Sequence, residues 1–475
     1  MGVASGAGDS ARVVSREPTA AYDGVSRSVL VALLALLVVA LAVRLWRLGS
    51  FPANLMADEA DNLGTIYQIL FGDGVGLFAL DWKPSPAFSM YVAAPFVALF
   101  DHGLFGLRVA SVLTSVLALV PLFALYRRYV SPAAALLSLL LLSTSVWYLN
   151  FSRSGWENVH AVLLTALAFW LLSLALETGA WRYWAWAGVA ASLGLYSYFA
   201  GRAILIALAA YAPIALWQRR DQVQRVALGY VLLVVVAVGL FVPQLPAIRE
   251  DPEHFNIRAE RVSVLAAADD GYFGREGVFE VLVYQAARNA RFFFDGGVLG
   301  GDSYSPPEQG LQDTRPRYSP FGRPLLDLAT ALLFVAGLVL SLVRGPGRNA
   351  MWWVMLAAPW VLTQVLTINT PDAARGIGML PAIYFFVALA LDGLWRLAAR
   401  PRALRFALVG AIVIVAAGTT LAYFRWAGSP AALNAREPAV PLTEFNEWKR
   451  VQIERTRSDL PPLTVTGWKE LHPER

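Results

Sequence analysis

The stretch Arg27-Ser-Val-Leu-Val-Ala-Leu-Leu-Ala-Leu-Leu-Val-Val-Ala-Leu-Ala-Val-Arg44-Leu-Trp-Arg47 decides the class of fold. No charged residue separates Arg27 from Arg44, and all but one of the residues between them are apolar. Wound as a helix at about 1.5 Å per residue, such a run covers nearly the full ~30 Å of a hydrocarbon core. A cleaved leader is not expected here, because Arg44-Leu-Trp-Arg47 follows the run where a small-residue cleavage site would stand. The Gly/Ala/Ser/Arg-rich residues 1–26 before it lack periodicity and are expected to be a disordered cytoplasmic tail.

Runs of the same kind recur outward from this one, roughly at 104–126, 132–149, 158–176, 181–198, 202–218, 225–246, 324–343, 350–368, 375–396 and 404–423. The chain is 57% hydrophobic and only 15% charged, with a mean hydropathy of +0.52, whereas soluble proteins carry about 25% charged residues. The fold expected is an all-α polytopic membrane bundle of about eleven transmembrane helices.

Residues 86–101 are apolar but short, contain Pro95 and end at Asp101-His-Gly103. Basic clusters decide their placement. With 86–101 lying at the interface, the Arg12/Arg16/Arg27 tail, Arg127-Arg128, Arg219-Arg220 with Arg225, Arg344 with Arg348, and Arg396 with Arg405 share one side, as the positive-inside rule requires. That topology places the loops 46–103 and 247–322 outside, together with Asn150–Asn158, Tyr196–Arg202, Thr367–Arg375 and a polar tail, 426–475. Glu276–Phe294 reads as an amphipathic helix lying on the membrane. Arg44 and Arg47 fall on the outer side, against the rule.

Other classes are excluded by composition. The net charge of +5 arises from arginines flanking apolar spans, not from a stripe suited to nucleic acid. The chain has no cysteine, and its four histidines show no metal-ligand spacing. Arginine supplies nearly all the positive charge, since only Lys83, Lys449 and Lys469 are lysines.

Ionisable residues gather on the side read as external. Loop 46–103 carries Asp58, Glu59, Asp61, Asp81 and Lys83, the Asn150–Asn158 turn carries Arg153 and Glu157, and Arg202, Asp372 and Arg375 sit at similar depth. Snorkelling explains many single arginines at a bilayer edge. Several acids and bases on one face, joined by loops too short to fold alone, point instead to a polar cavity open to water and lipid. Such a cavity suits a phosphate head on a lipid tail: arginine and lysine neutralise phosphate, and a carboxylate takes a proton from a hydroxyl.

The ordered set Arg44-Leu-Trp-Arg47, Asp58-Glu59-Ala60, Lys83-Pro84, Arg108, Ser152-Arg153 with Glu157, and Arg375…Pro381 resembles the GT-C glycosyltransferases. The likeness is nearest the family 39 or dolichyl-phosphate-mannose-type transferases and the aminoarabinose transferases of lipid A, and covers most of residues 27–425. It implies a GT-C membrane domain over 27–425, with juxtamembrane helices in the first external loop. The implied reaction is inverting transfer of a sugar from a polyprenyl-phosphate donor to a hydroxyl of a protein, lipid or glycan, on the extracytoplasmic side of a bacterial plasma membrane. Asp58 would be the base, with Glu59 orienting it or supporting the helix start. Lys83, Arg153, Arg202 and Arg375 would hold the donor phosphate, and Glu157 would contact acceptor or metal. The resemblance leaves open a divalent metal, Mg or Mn, shared by Asp58 and Glu157, and implies no other cofactor. Trp82 stands where the aminoarabinose transferases have an acid, the tail after 425 is short for a periplasmic domain, and the Trp-Trp-Asp motif of oligosaccharyltransferases is missing. Two other readings are a polysaccharide polymerase or ligase of the same superfamily, and a lipid or sugar flippase. The flippase reading is weakened because the charges collect at one face and no repeat is visible.

Overall fold

The computed structural model describes residues 26–76, 87–253, 263–265, 275, 277–295, 324–368, 370, 372–398, 401–429 and 439–472. The N-terminal tail, Asp81, Lys83, Pro84 and most of the long 247–322 loop lie outside the described residues.

A helix stands at each of the eleven apolar runs. In chain order they are α1 (Arg27–Leu45); then, after the short strand β1 (Asn54–Met56) and helices α2 (Ala57–Phe71) and α3 (Phe88–Leu99), the pair α4 (Leu104–Leu117) and α5 (Leu119–Tyr126). Next come α6 (Pro132–Thr144) with α7 (Val146–Arg153), α8 (Val159–Thr178), α9 (Trp181–Leu195), α10 (Arg202–Gln218), α11 (Val223–Phe241) and the short α12 (Leu245–Glu250). After α13 (Val278–Asp295) follow α14 (Leu328–Val343), α15 (Ala350–Trp360), α16 (Leu380–Leu397) and α17 (Arg402–Ala427). The chain closes with β2 (Ala439–Pro441), α18 (Phe445–Arg457) and α19 (Val465–Leu471). This is an all-α polytopic membrane fold. Among the described residues, six helical stretches are long and apolar enough to cross a bilayer alone, or seven if α6 and α7 make one span bent by 59°. The count of eleven is not reached by length alone, because α10, α14, α9 and α15 have only 17, 16, 15 and 11 residues.

Burial separates two populations of helix. Helix α16 forms the centre, its apolar stretch 89% buried, whereas α1 and α17 are 22% and 17% buried and more apolar still. Helices apolar on faces that no described residue covers suit solvation by lipid. At the centre, Gly337 of α14 lets Phe386 approach so closely that a Cβ there would sit 1.8 Å from its carbonyl oxygen. Trp352 and Phe385 stack at 3.8 Å.

Helix α3 is the ambiguous segment 86–101. Its 12 residues reach only about 18 Å, too short to cross. It packs on α2 and α4 through Met90, Ala93, Ala94 and Val97. Helix α13 appears where the amphipathic reading placed one.

The tail set apart as 426–475 is not separate in space. The last turns of α17 extend to Ala427, and β2 pairs antiparallel with β1, with Leu55 opposite Val440. Trp448, Leu463, Val465 and Trp468 then join Leu55, Leu63, Ile66 and Tyr67 in one buried cluster. Gly64 permits this contact, since a Cβ there would lie 3.0 Å from both Gln452 and Pro462. Helix α2 is thus clamped between the membrane bundle and a C-terminal lobe.

Candidate active site

Asp58 and Glu59 lie in the first turn of α2, where acids suit the positive end of a helix. The two residues point in different directions, and the structure uses them differently. Glu59 is fully buried. Its Oε1 accepts from Arg108 Nε at 2.8 Å and from Gly155 N at 2.9 Å. Its Oε2 accepts from Arg108 Nη2 at 3.0 Å and from Met56 N at 3.2 Å. Arg108 spends its remaining donors on the carbonyls of Leu48, Pro52 and Asn54. Glu59 therefore joins the approach to α2, helix α4 and the turn after α7, and is turned away from solvent. Asp58 remains half-exposed.

Four residues after Asp58, on the same face of α2, Asn62 is buried and donates through Nδ2 to Gly155 O at 2.9 Å and Glu157 Oε2 at 3.0 Å. The second carboxylate is thereby held on the face of α2 that carries the first. Asn158, next in sequence, donates to Ala374 O at 3.4 Å, and Trp147 of α7 donates to Ala373 O at 2.9 Å. These bonds bring in the turn that begins α16. There Arg375 Nε pairs with Asp372 at 3.0 Å and its Nη1 donates to Ile368 O. Asp372 also accepts from the Arg375 amide and is anchored by Gln364, which bonds both its backbone N and O. Asn289 of α13 closes the network by donating to Gln364 O and Thr370 Oγ1. Arg202 opens α10 immediately after Phe199–Gly201, and Ala200 faces this same turn, its carbonyl 3.8 Å from where a Gly378 Cβ would stand.

The structure therefore gathers Asp58, Glu157, Arg375 and the start of α10 at one end of the bundle. Lys83 lies outside the described residues. Arg153 behaves differently from the phosphate ligand expected of it. The turn Asn150–Asn158 is shorter than the apolar pattern indicated, because α7 continues to Arg153 and buries the side chain completely. Its guanidinium donates to the carbonyls of Val43, Arg44 and Phe51, and lies 4.8 Å from the Phe424 ring. It clamps the chain leaving α1 and is not turned toward an incoming anion. Arg44 is likewise buried, donating to Ser115 Oγ at 3.0 Å and to Ala40 O, which accounts for its place against the positive-inside rule.

Sequence reasoning gave no role to Asn62 or Asn158. Asn62 carried a usable signal, its four-residue spacing from Asp58, whereas Asn158 carried none. On the far side of α2, burial and nearby Asp101 push the Tyr67 phenol up, so it stays neutral and donates to His102 O at 2.7 Å. Among the described residues no three or more His, Asp or Glu side chains gather as a metal-binding group. Asp58 and Glu157, on one face of α2 through Asn62, offer only two carboxylates, so a hard ion held there would have to keep several waters.

The family model for dolichyl-phosphate-mannose-protein mannosyltransferases matches residues 84–246. No curated protein matches the chain in sequence. Among solved structures, the archaeal oligosaccharyltransferase AglB from Archaeoglobus fulgidus, determined with an inhibitory peptide and a dolichol-phosphate, is similar over 90% of this chain and 59% of its own, with a TM-score of 0.56 at 16% identity. ArnT from Cupriavidus metallidurans in the apo state is similar over 90% of this chain and 77% of its own, with a TM-score of 0.51 at 15% identity. The chain thus spans under two thirds of the oligosaccharyltransferase's length. The resemblance to the GT-C glycosyltransferases holds, in sequence over 84–246 and in fold over nine-tenths of the chain.

Proposed function

We propose that this chain is an inverting glycosyltransferase that moves a sugar from a polyprenyl-phosphate donor to a hydroxyl acceptor at the outer face of the plasma membrane. The observation that carries the reading is the two-acid face of α2, with Glu157 bonded to Asn62 one turn from Asp58 and the Arg375 turn tied alongside through Asn158. The dolichol-phosphate in the archaeal neighbour supports a polyprenyl carrier.

In the reaction, Asp58 takes the proton of the acceptor hydroxyl as its oxygen bonds to the anomeric carbon from the side opposite the phosphate. The bond from that carbon to the phosphate oxygen breaks, and polyprenyl phosphate leaves as a stable anion. A leaving group of this kind needs cations more than an acid. Arg375, Arg202 and Lys83 supply them, with Asp372 and the Ile368 carbonyl fixing the Arg375 fork. Glu157 orients the acceptor. Asp58 and Glu157 are also the residues that would hold a divalent ion, whose chemistry would be neutralisation of phosphate charge.

The test is to incubate the purified protein with short-chain polyprenyl-phosphate hexoses and pentoses and follow sugar release by mass spectrometry. Glycan and glycoprotein profiles of a deletion strain then identify the acceptor. Movement of the donor between leaflets of vesicles, without sugar release from any donor, would replace this reading with the flippase.

A further inference from the structure

An apolar groove lies at the end of the bundle opposite the two-acid face, between the last turns of α10 and the start of α15. Its volume is about 580 Å³, and Pro213, Trp217, Pro346, Ala350, Trp353 and Ala357 form an almost wholly apolar lining. Helix α10 rises about 17 Å from Arg202 to Pro213 and about 23 Å to Trp217, past the middle of a ~30 Å hydrocarbon core. The groove thus meets the other leaflet. Gln218, just past Trp217, donates to Gly347 O at 2.6 Å and ties the end of α10 to the turn before α15.

Its rim is basic. Arg219 and Arg348 each stand within two residues of a lining residue in the chain, Trp217 and Gly347, and both, with Arg128, lie within electrostatic reach of the half-buried Tyr129 phenol. Arg128 is paired with Glu177. Among the described residues, neither Arg219 nor Arg348 has a carboxylate partner within ion-pair distance, and Arg348 is exposed. Asp221 is the nearest acid in sequence, and Gln222 donates to it. An apolar slot lined by two tryptophans, with two such arginines next to its lining in the chain, matches an acyl chain ending in a phosphodiester.

We infer that this groove is a binding site for an anionic glycerophospholipid, with one acyl chain along Pro213, Ala350 and Ala357 and the headgroup phosphate between Arg219 and Arg348. The inference rests on the groove alone and is independent of the reaction proposed above.

Native mass spectrometry of the full chain in mild detergent tests it, with phosphatidylglycerol, phosphatidylcholine and undecaprenyl phosphate as probes. An arginine near an anionic headgroup contributes about fivefold in affinity, so two together contribute about 25-fold. Wild type should prefer phosphatidylglycerol over phosphatidylcholine by about that factor, and the double variant Arg219→Gln/Arg348→Gln should lose the preference. Arg402→Gln, on an exposed arginine at the start of α17, should keep it. Ala350→Leu should weaken both phospholipids alike by filling the slot. Equal binding of the two phospholipids by wild type, or a preference that survives the double variant, would overturn the site. Undecaprenyl phosphate displacing phosphatidylglycerol at equal concentration would overturn the occupant.

Discussion

Replacing Glu59 separates its role from that of Asp58 more sharply than any other substitution. Its carboxylate accepts four hydrogen bonds, two from Arg108 and two from backbone amides, with both side chains fully buried. A carboxylate offers about four lone-pair positions, so this one is saturated. Glu59→Gln keeps the shape but turns an NH₂ toward Arg108 Nη2 or the Gly155 amide, and leaves the Arg108 charge among neutral carbonyls. Removing one partner of a buried pair costs about 3–5 kcal/mol, a large part of the stability of an ordinary domain. The variant should melt well below wild type when unfolding in detergent is followed by tryptophan fluorescence. Arg108→Met should cost a similar amount. The double variant Glu59→Gln/Arg108→Met should be less destabilised than the sum of the two, because no uncompensated charge remains. Below its melting range, Glu59→Gln should retain most of its turnover. A variant that melts like wild type yet has lost turnover refutes the reasoning, and would move the catalytic role from Asp58 to Glu59.

The other outcomes follow from the same geometry. Asp58→Asn, at a half-exposed position, should leave the melting temperature unchanged and lower kcat by about 10²–10⁴-fold; a variant within about threefold of wild type sinks the assignment of the base. Arg375→Gln should raise the donor KM by about ten- to a hundredfold, the worth of a charge-assisted contact to phosphate, and an unchanged KM would leave Arg375 as a bracket for Asp372 alone. Gly64→Leu should loosen the C-terminal lobe by driving α2 from Gln452 and Pro462, which limited proteolysis should reveal as cleavage between α17 and α18. Reporters fused after Arg128, Arg220 or Arg348 should be cytoplasmic, and an external reporter at Arg220 would undo the shared cavity.

The membrane architecture was legible because apolar length is a property of each segment by itself. All eleven runs became helices, and α13 fell within two residues of its expected bounds. Two kinds of information were not local. The strand pair β1–β2 joins three-residue segments more than 380 positions apart, and no periodicity in so short a strand announces its partner. Chain direction at the end of a span was the other. The Thr144 and Ser145 hydroxyls bond back to the carbonyls of Leu140, Leu141 and Leu142 and Ser145 caps α7, so the chain bends and continues as helix instead of turning. Because of that bend, Arg153 points into the protein. The acid pair was legible as a pair, but the division of labour within it required the position of Arg108.

The buried arginines give the site end a common physical logic. The chain leaving α1 reaches α2 through residues 46–56, with little regular structure, beside a medium that cannot solvate bare carbonyls. Arg153 and Arg108 together bond the carbonyls of Val43, Arg44, Leu48, Phe51, Pro52 and Asn54. A guanidinium presents five donors in a rigid fork, whereas an ammonium presents three on a flexible stem. Two arginines can therefore satisfy a connection that lysines could not, and hold it rigid. That rigidity sets where α2 begins and hence where Asp58 points. Arg44 and Arg153, which read in the sequence as a topology anomaly and as an anion ligand, are thus spent on structural contacts, whereas Arg375, held by Asp372 and the Ile368 carbonyl, stays partly exposed.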